Sequence, residues 1–166
     1  MKKIAIQDAN ILIDLVKTGL FDHCLALQYR FMTTDIILNE LHDEQALMIQ
    51  PHIISGKFEI ISIVDNELLE IQLLSIENTK LSEQDWSAVY YAQKRNALLL
   101  TGDKRMRAIA AAKSISFAGI LWLLDELVAA TILSFPEVCT FLKKLREVNK
   151  WLPADECEMR IKSWCK

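Results

Sequence analysis

Four carboxylates stand where an acidic, phosphate-directed site could be built: Asp8, Glu40, Asp85 and Asp103. Asp8 ends the apolar run in KIAIQD, and Asp103 lies two residues beyond the apolar ALLLT. Each acid has a local explanation. Asp8 and Asp103 precede helical patterns, and Asp is a favoured N-cap. Asp85 completes Ser82-Glu83-Gln84-Asp85, a capping box with Asp in place of Glu or Gln. Glu40 fits the water-facing side of an amphipathic pattern. As a set, the four offer more. Carboxylates gathered at neutral pH repel one another, and either protons or a divalent cation must relieve them. Oxygen-only ligands suit Mg²⁺ or Mn²⁺ rather than zinc. Such a centre suits phosphodiester hydrolysis, because the cation acidifies water and neutralises phosphate.

The elements that must position these acids alternate. Strands are predicted at Lys3 to Gln7, Arg30 to Thr34, Lys57 to Val64, Ala97 to Thr101 and Ile115 to Phe117. Helices are predicted at Ala9 to Lys17, Leu20 to Gln28, Asp35 to about Gln45, Asp65 to Asn78, Ser82 to Asn96 and Asp103 to Lys113. Three more follow, at about Ile120 to Thr131, Pro136 to Asn149 and Pro153 to Trp164. The alternation defines an α/β class with a mostly parallel sheet. In such sheets ligands bind beyond the carboxyl ends of the strands, where Asp8 and Asp103 fall. Glu40, about a turn and a half into its helix, would lean back toward that edge.

At 166 residues the chain fits one domain, residues 1–166, with a core of about 1–118 and a helical extension of about 119–166. The net charge of −3 gives no general attraction to nucleic acid, so an anionic partner needs a local basic patch or a cation. One such patch exists. Lys94 to Lys113 holds six Lys or Arg against Asp103 alone, whereas Lys57 to Tyr91 holds two Lys against seven acids. Lys104, Arg105 and Arg107 would therefore set phosphate-binding groups beside Asp103. A solvated helix face explains the same residues equally well. It is the better account of Lys143, Lys144, Arg146 and Lys150. Trp86, Tyr90 and Tyr91 read as core or dimer contacts rather than base-stacking platforms.

Cys24, Cys139, Cys157 and Cys165 form no CxxC pair, and no HExxH occurs. They read as idle or buried thiols of a reducing compartment, with a Cys157–Cys165 disulfide the one pairing considered. The longest apolar stretch, Gly119 to Phe135, is interrupted by Asp125 and Glu126, so no membrane span is expected. A cytoplasmic location is the expectation. No GxSxG, P-loop or glycine-rich dinucleotide turn offers a competing catalytic set.

DANILIDL, IILNELH and LSEQDWSAVYYAQKRNALLLTGDKRM, in this order and spacing, resemble a PIN domain, the nuclease fold of VapC-type toxin ribonucleases. The resemblance covers about residues 3 to 118. FAGILWLLDELV and LREVNKWLPADECEMRIKSW resemble a subgroup with a helical tail. What it implies is a three-layer α/β/α sandwich, Mg²⁺ or Mn²⁺ dependence, RNA cleavage, frequent homodimers and, for a toxin, an antitoxin partner. It makes Asp8, Glu40, Asp85 and Asp103 the metal-binding and catalytic acids, with Asn10 and Thr101 in support. Three positions depart from the pattern: Ala9 replaces a common Ser or Thr, Asp85 a common Glu, and Arg107 stands near an additional acid of some toxins. The expected function is a metal-dependent endoribonuclease, with the toxin of a toxin–antitoxin pair as the candidate setting. The alternative is a catalytically weak or inactive PIN-like module that binds RNA or protein.

Overall fold

The computed structural model describes the chain from Met1 to Lys166. Five strands form one sheet: β1 (Lys3–Gln7), β2 (Tyr29–Thr34), β3 (Phe58–Ile61), β4 (Leu98–Leu100) and β5 (Phe117–Ala118). Their order is β3-β2-β1-β4-β5, and every pairing is parallel. The helices are α1 (Ala9–Thr18), α2 (Phe21–Leu25), α3 (Asp35–Leu38), α4 (Asp43–Ile54), α5 (Asp65–Glu77), α6 (Glu83–Lys94) and α7 (Lys104–Ala112). A tail of α8 (Ile120–Ala129), α9 (Phe135–Val148) and α10 (Ala154–Trp164) follows.

The chain builds outward from β1 to β2 and β3, then crosses back to lay β4 and β5 on the other side. Because parallel crossovers are right-handed, the two directions of travel send their helices to opposite faces. Accordingly α1 packs with α2 and α4, while α6 packs on β1, β2 and β4 between α5 and α7. The result is an α/β/α sandwich. Covering on both faces explains the unbroken apolar runs of β1 and β4. On one face Phe58 meets Phe21 edge-on at 5.2 Å; on the other, the Arg95 side chain reaches the Met32 sulfur at 3.2 Å. The reversal of direction falls between β1 and β4, which makes the ends of those strands the topological switch point.

The helix predicted over Asp35 to about Gln45 is two helices. Thr34 caps α3, its hydroxyl accepting from the Ile37 amide at 3.3 Å. The bonding then tightens, with the Glu40 amide donating to the Ile37 carbonyl and the Leu41 amide to the Leu38 carbonyl. His42 turns extended, and the Gln45 side chain accepts from its amide at 3.2 Å, restarting the chain as α4. Glu40 therefore lies on a turn, not within a helix. The last strand begins at Phe117 rather than Ile115, because the Ile115 amide still closes α7 on the Ala110 carbonyl.

The cysteines correct a second expectation. Cys139 of α9 and Cys165 after α10 form a disulfide, while Cys24 and Cys157 are free and buried. A Cys157–Cys165 bridge is excluded by helix geometry: eight residues along α10 separate them by about 12 Å, against the about 7 Å that a disulfide tolerates. The bridge ties α10 to α9. The Asn149 amide group, donating to the buried Asp14 of α1 at 2.7 Å, ties the end of α9 to the core.

Gln7, the last residue of β1, is fully buried, and its side-chain amide has no hydrogen-bond partner in the protein. A buried amide left without partners costs roughly 1–3 kcal/mol. Gln7→Met, similar in volume, is expected to stabilise the fold by about 1 kcal/mol, read as a higher midpoint in thermal unfolding.

Candidate active site and metal centre

Asp8 is placed by the sheet itself. Its amide donates to the Leu100 carbonyl at 3.1 Å, extending the β1–β4 pairing by one residue. Its side chain is 2% exposed. One oxygen, Oδ1, accepts from the Ile11 amide at 2.8 Å and caps α1. The other, Oδ2, accepts from the Thr101 hydroxyl at 2.5 Å. Thr101 is fully buried just past β4, and its hydroxyl also accepts from the Asp103 amide at 3.1 Å. The ends of β1 and β4 are thus joined as Asp8–Thr101–Asp103 across the switch point. Burial pushes the Asp8 carboxyl up to about 7; the Thr101 and Ile11 bonds oppose this, and the charges of Asp85 and Asp103 add to it.

Asp103 caps α7. Its Oδ1 accepts from the amides of Arg105 at 2.7 Å and Met106 at 3.1 Å. Its Oδ2 takes the Arg105 guanidinium at 3.0 Å. Burial works against ionisation of Asp103, but the Arg105 side chain and the two amides outweigh it and hold the carboxyl below its ordinary value. Asp85 completes the capping box at the start of α6: its Oδ2 accepts from the Ser82 amide at 3.2 Å, and the Ser82 hydroxyl accepts from the Asp85 amide at 3.1 Å. Glu40 is exposed on its turn, and its carboxyl is raised by partial desolvation and by the charge of Asp85.

The four acids therefore fall into a graded set. Asp8 and Asp103 are linked through Thr101, Asp85 acts on Asp8 through space, and Glu40 feels Asp85. As the side chains stand, no three His, Cys, Asp or Glu groups converge into a cation-holding cluster. Asp85 is turned back onto Ser82, and Asp103 is paired with Arg105. The donor chemistry, carboxylates and a hydroxyl with no sulfur or imidazole, still fits a hard divalent cation. Asp8 supplies the buried negative charge that would favour one.

The remaining candidates separate in character. Asn10 is exposed on the first turn of α1, and Lys104 is exposed on the first turn of α7. Arg107 is fixed: its Nε donates to the Thr101 carbonyl at 3.0 Å, and its guanidinium lies 5.9 Å from the Phe117 ring centre. Gly119 makes room for it, since a Cβ there would stand 2.3 Å from an Arg107 Nη atom. Trp86 and Tyr91 are buried in the core, with the Trp86 indole donating to the Asn78 carbonyl at 3.1 Å.

Two features escape sequence inspection. Gly119 is one. The other is a buried pair at the end of β2, where the Thr34 and Ser87 hydroxyls lie 2.8 Å apart. Thr34 carried a readable cap signal, Thr before Asp-Ile-Ile, whereas nothing in the sequence ties it to Ser87.

A parallel α/β/α sandwich with carboxylates at its switch point is consistent with a PIN-like fold. The comparisons agree. A family model described as a PIN domain, DUF3368, matches residues 4–166, and the chain belongs to this family. The crystal structure of PAE2754 from Pyrobaculum aerophilum has a similar fold, with a TM-score of 0.54 at 18% identity, over 76% of this chain and 90% of that one. No curated protein sequence matches the chain. PIN domains are generally nucleases and usually use divalent metals. No helix is long and apolar enough to cross a membrane.

Proposed function

We propose that the chain is a metal-dependent endoribonuclease hydrolysing RNA phosphodiester bonds, with the toxin role of a toxin–antitoxin pair as its biological setting. Asp8, Asp85 and Asp103 would hold a Mg²⁺ or Mn²⁺ ion, with Glu40 at its margin. When bound, the ion would neutralise phosphate charge and acidify the attacking water. The protein's own part is positioning. Thr101 holds Asp8 in one orientation, and Arg107 and Lys104 offer cations to the phosphate. Asn10 adds a polar group at the rim. The observation that supports this reading is the Asp8–Thr101–Asp103 chain at the β1–β4 switch point, with a buried carboxylate at its centre.

A second reading, a PIN module that binds RNA or protein without cleaving, draws on one observation: Asp85 and Asp103 are both engaged by protein partners. Cleavage of single-stranded and structured RNA with and without Mg²⁺ or Mn²⁺ separates the two. Metal-dependent cleavage supports the first, and RNA binding without cleavage supports the second. The partners that go with the first reading are an antitoxin protein and a second copy of the chain. Leu69, Leu73 and Ile76, exposed together on α5, are the surface such a copy would cover.

Gly119→Ala tests the role of Arg107. The added methyl displaces the end of the Arg107 side chain and puts alanine at the N-cap of α8, so stability should fall by about 1 kcal/mol, well short of unfolding the protein. RNA affinity should fall a few-fold, measured by fluorescence anisotropy, and Arg107→Ala should reproduce the fall.

A further inference from the structure

Arg105 differs from the other basic residues beside the site in where its charge is placed. It reaches back two residues to Asp103, with Nη2 on Oδ2 at 3.0 Å and Nε 3.5 Å from Oδ1. The two oxygens of Asp103 have different duties. Oδ1 caps α7 through two backbone amides, and those bonds hold the helix start. Oδ2 has Arg105 as its only protein partner, so it is the oxygen a cation could take without undoing the cap. Arg105 is free to leave. Its side chain is 63% exposed, and Asp103 is its one ion-pair partner. The charge of Asp85 also reaches Arg105, which places the guanidinium in the field of two of the candidate ligands. Arg107 cannot make the same exchange, being held on the Thr101 carbonyl and seated against Gly119.

We infer that Arg105 is a placeholder for the divalent cation: it neutralises Asp103 in the metal-free protein and must be displaced from Oδ2 when a cation binds. The inference rests on the metal-site reading above. Two consequences follow. The metal concentration needed for loading is set partly by this ion pair. Metal binding also frees a guanidinium at the mouth of the site, where it can meet a substrate phosphate. An exposed Arg–carboxylate pair is a weak competitor, so the penalty on metal affinity should be about threefold to fivefold.

The test is calorimetric titration of Mn²⁺ into the wild type, Arg105→Gln and Lys104→Gln. Both variants remove one positive charge from the first turn of α7, but only the first breaks the pair with Asp103. The expected result is about threefold to fivefold tighter Mn²⁺ binding in Arg105→Gln, with Lys104→Gln within about twofold of wild type. Equal tightening in both variants would reduce the effect to general electrostatics and overturn the placeholder role. Saturable binding that is identical in all three proteins would overturn it too, leaving the metal site intact. No saturable binding in any of them would remove the metal site and the placeholder together.

Discussion

Asp8→Asn is expected to abolish metal-dependent RNA cleavage, by about three orders of magnitude or more, while leaving the fold intact and more stable above neutral pH. The loss follows from position. Asp8 is the most buried of the four acids and joins the ends of the two strands that flank the switch point. Removing a group on which the other members of a site depend costs far more than an average contact, because the set acts as a unit. The gain in stability has the opposite origin. Ionised Asp8 is a buried charge satisfied by one hydroxyl and one amide, and close to two other acids. Asparagine keeps the α1 cap and the size of the side chain but removes the charge. Circular dichroism and thermal unfolding at pH 8, beside the cleavage assay, check both halves. A variant that is inactive because it is unfolded would fail the second.

The same carboxylate makes stability fall as pH rises. Its folded-state value is raised from 3.8 to about 7, so between those values the native state holds a proton that the unfolded chain releases. The contribution is complete below about pH 4, is lost as pH climbs toward 7 and stays lost above it. At about 1.4 kcal/mol per pH unit, the swing is on the order of 4 kcal/mol. Asp14, also raised by burial, adds a part with the same sign that Asp8→Asn will not remove. Asp103, held low, contributes in the opposite direction at acid pH. Thr101→Val sharpens the test. Valine keeps the buried shape but takes away the one hydroxyl that stabilises ionised Oδ2. Asp8 should shift further up, and stability at pH 8 should drop by about 2 kcal/mol. At pH 5, where Asp8 is already protonated, the drop should be smaller. Urea titrations of wild type, Asp8→Asn and Thr101→Val across pH 5–8 measure all of this. A pH-independent cost of Thr101→Val would separate Thr101 from Asp8.

The parts of the fold that were readable in the sequence share a cause. Ile4 to Ile6 and Ala97 to Leu100 are unbroken apolar runs because helices cover both sides of the sheet, and each stops near a residue that caps the next helix. That pattern alone places Asp8 and Asp103 at the carboxyl edge. Asp85 was readable for a similar reason, since its capping box with Ser82 is local. Glu40 was not. Ile36, Ile37, Leu38 and Leu41 keep a helical period across a real break, and the break depends on His42 turning extended under the Gln45 side chain. The Cys139–Cys165 bridge was hidden because it depends on how α9 and α10 lie against each other. Arg107 against Gly119 was hidden because the pair forms only where α7 folds back over the adjacent ends of β4 and β5. Capping and periodicity are written within a few residues; pairings between elements are not.

On the proposed reading, Asp8 with Asp85 and Asp103 holds a divalent cation at the β1–β4 switch point. Titration of Mg²⁺ and Mn²⁺ into the wild type and Asp8→Asn, followed by calorimetry at pH 8, decides it. Saturable binding in the wild type that is lost in Asp8→Asn is the predicted result. Binding of equal strength in both proteins, or none in the wild type, would contradict it.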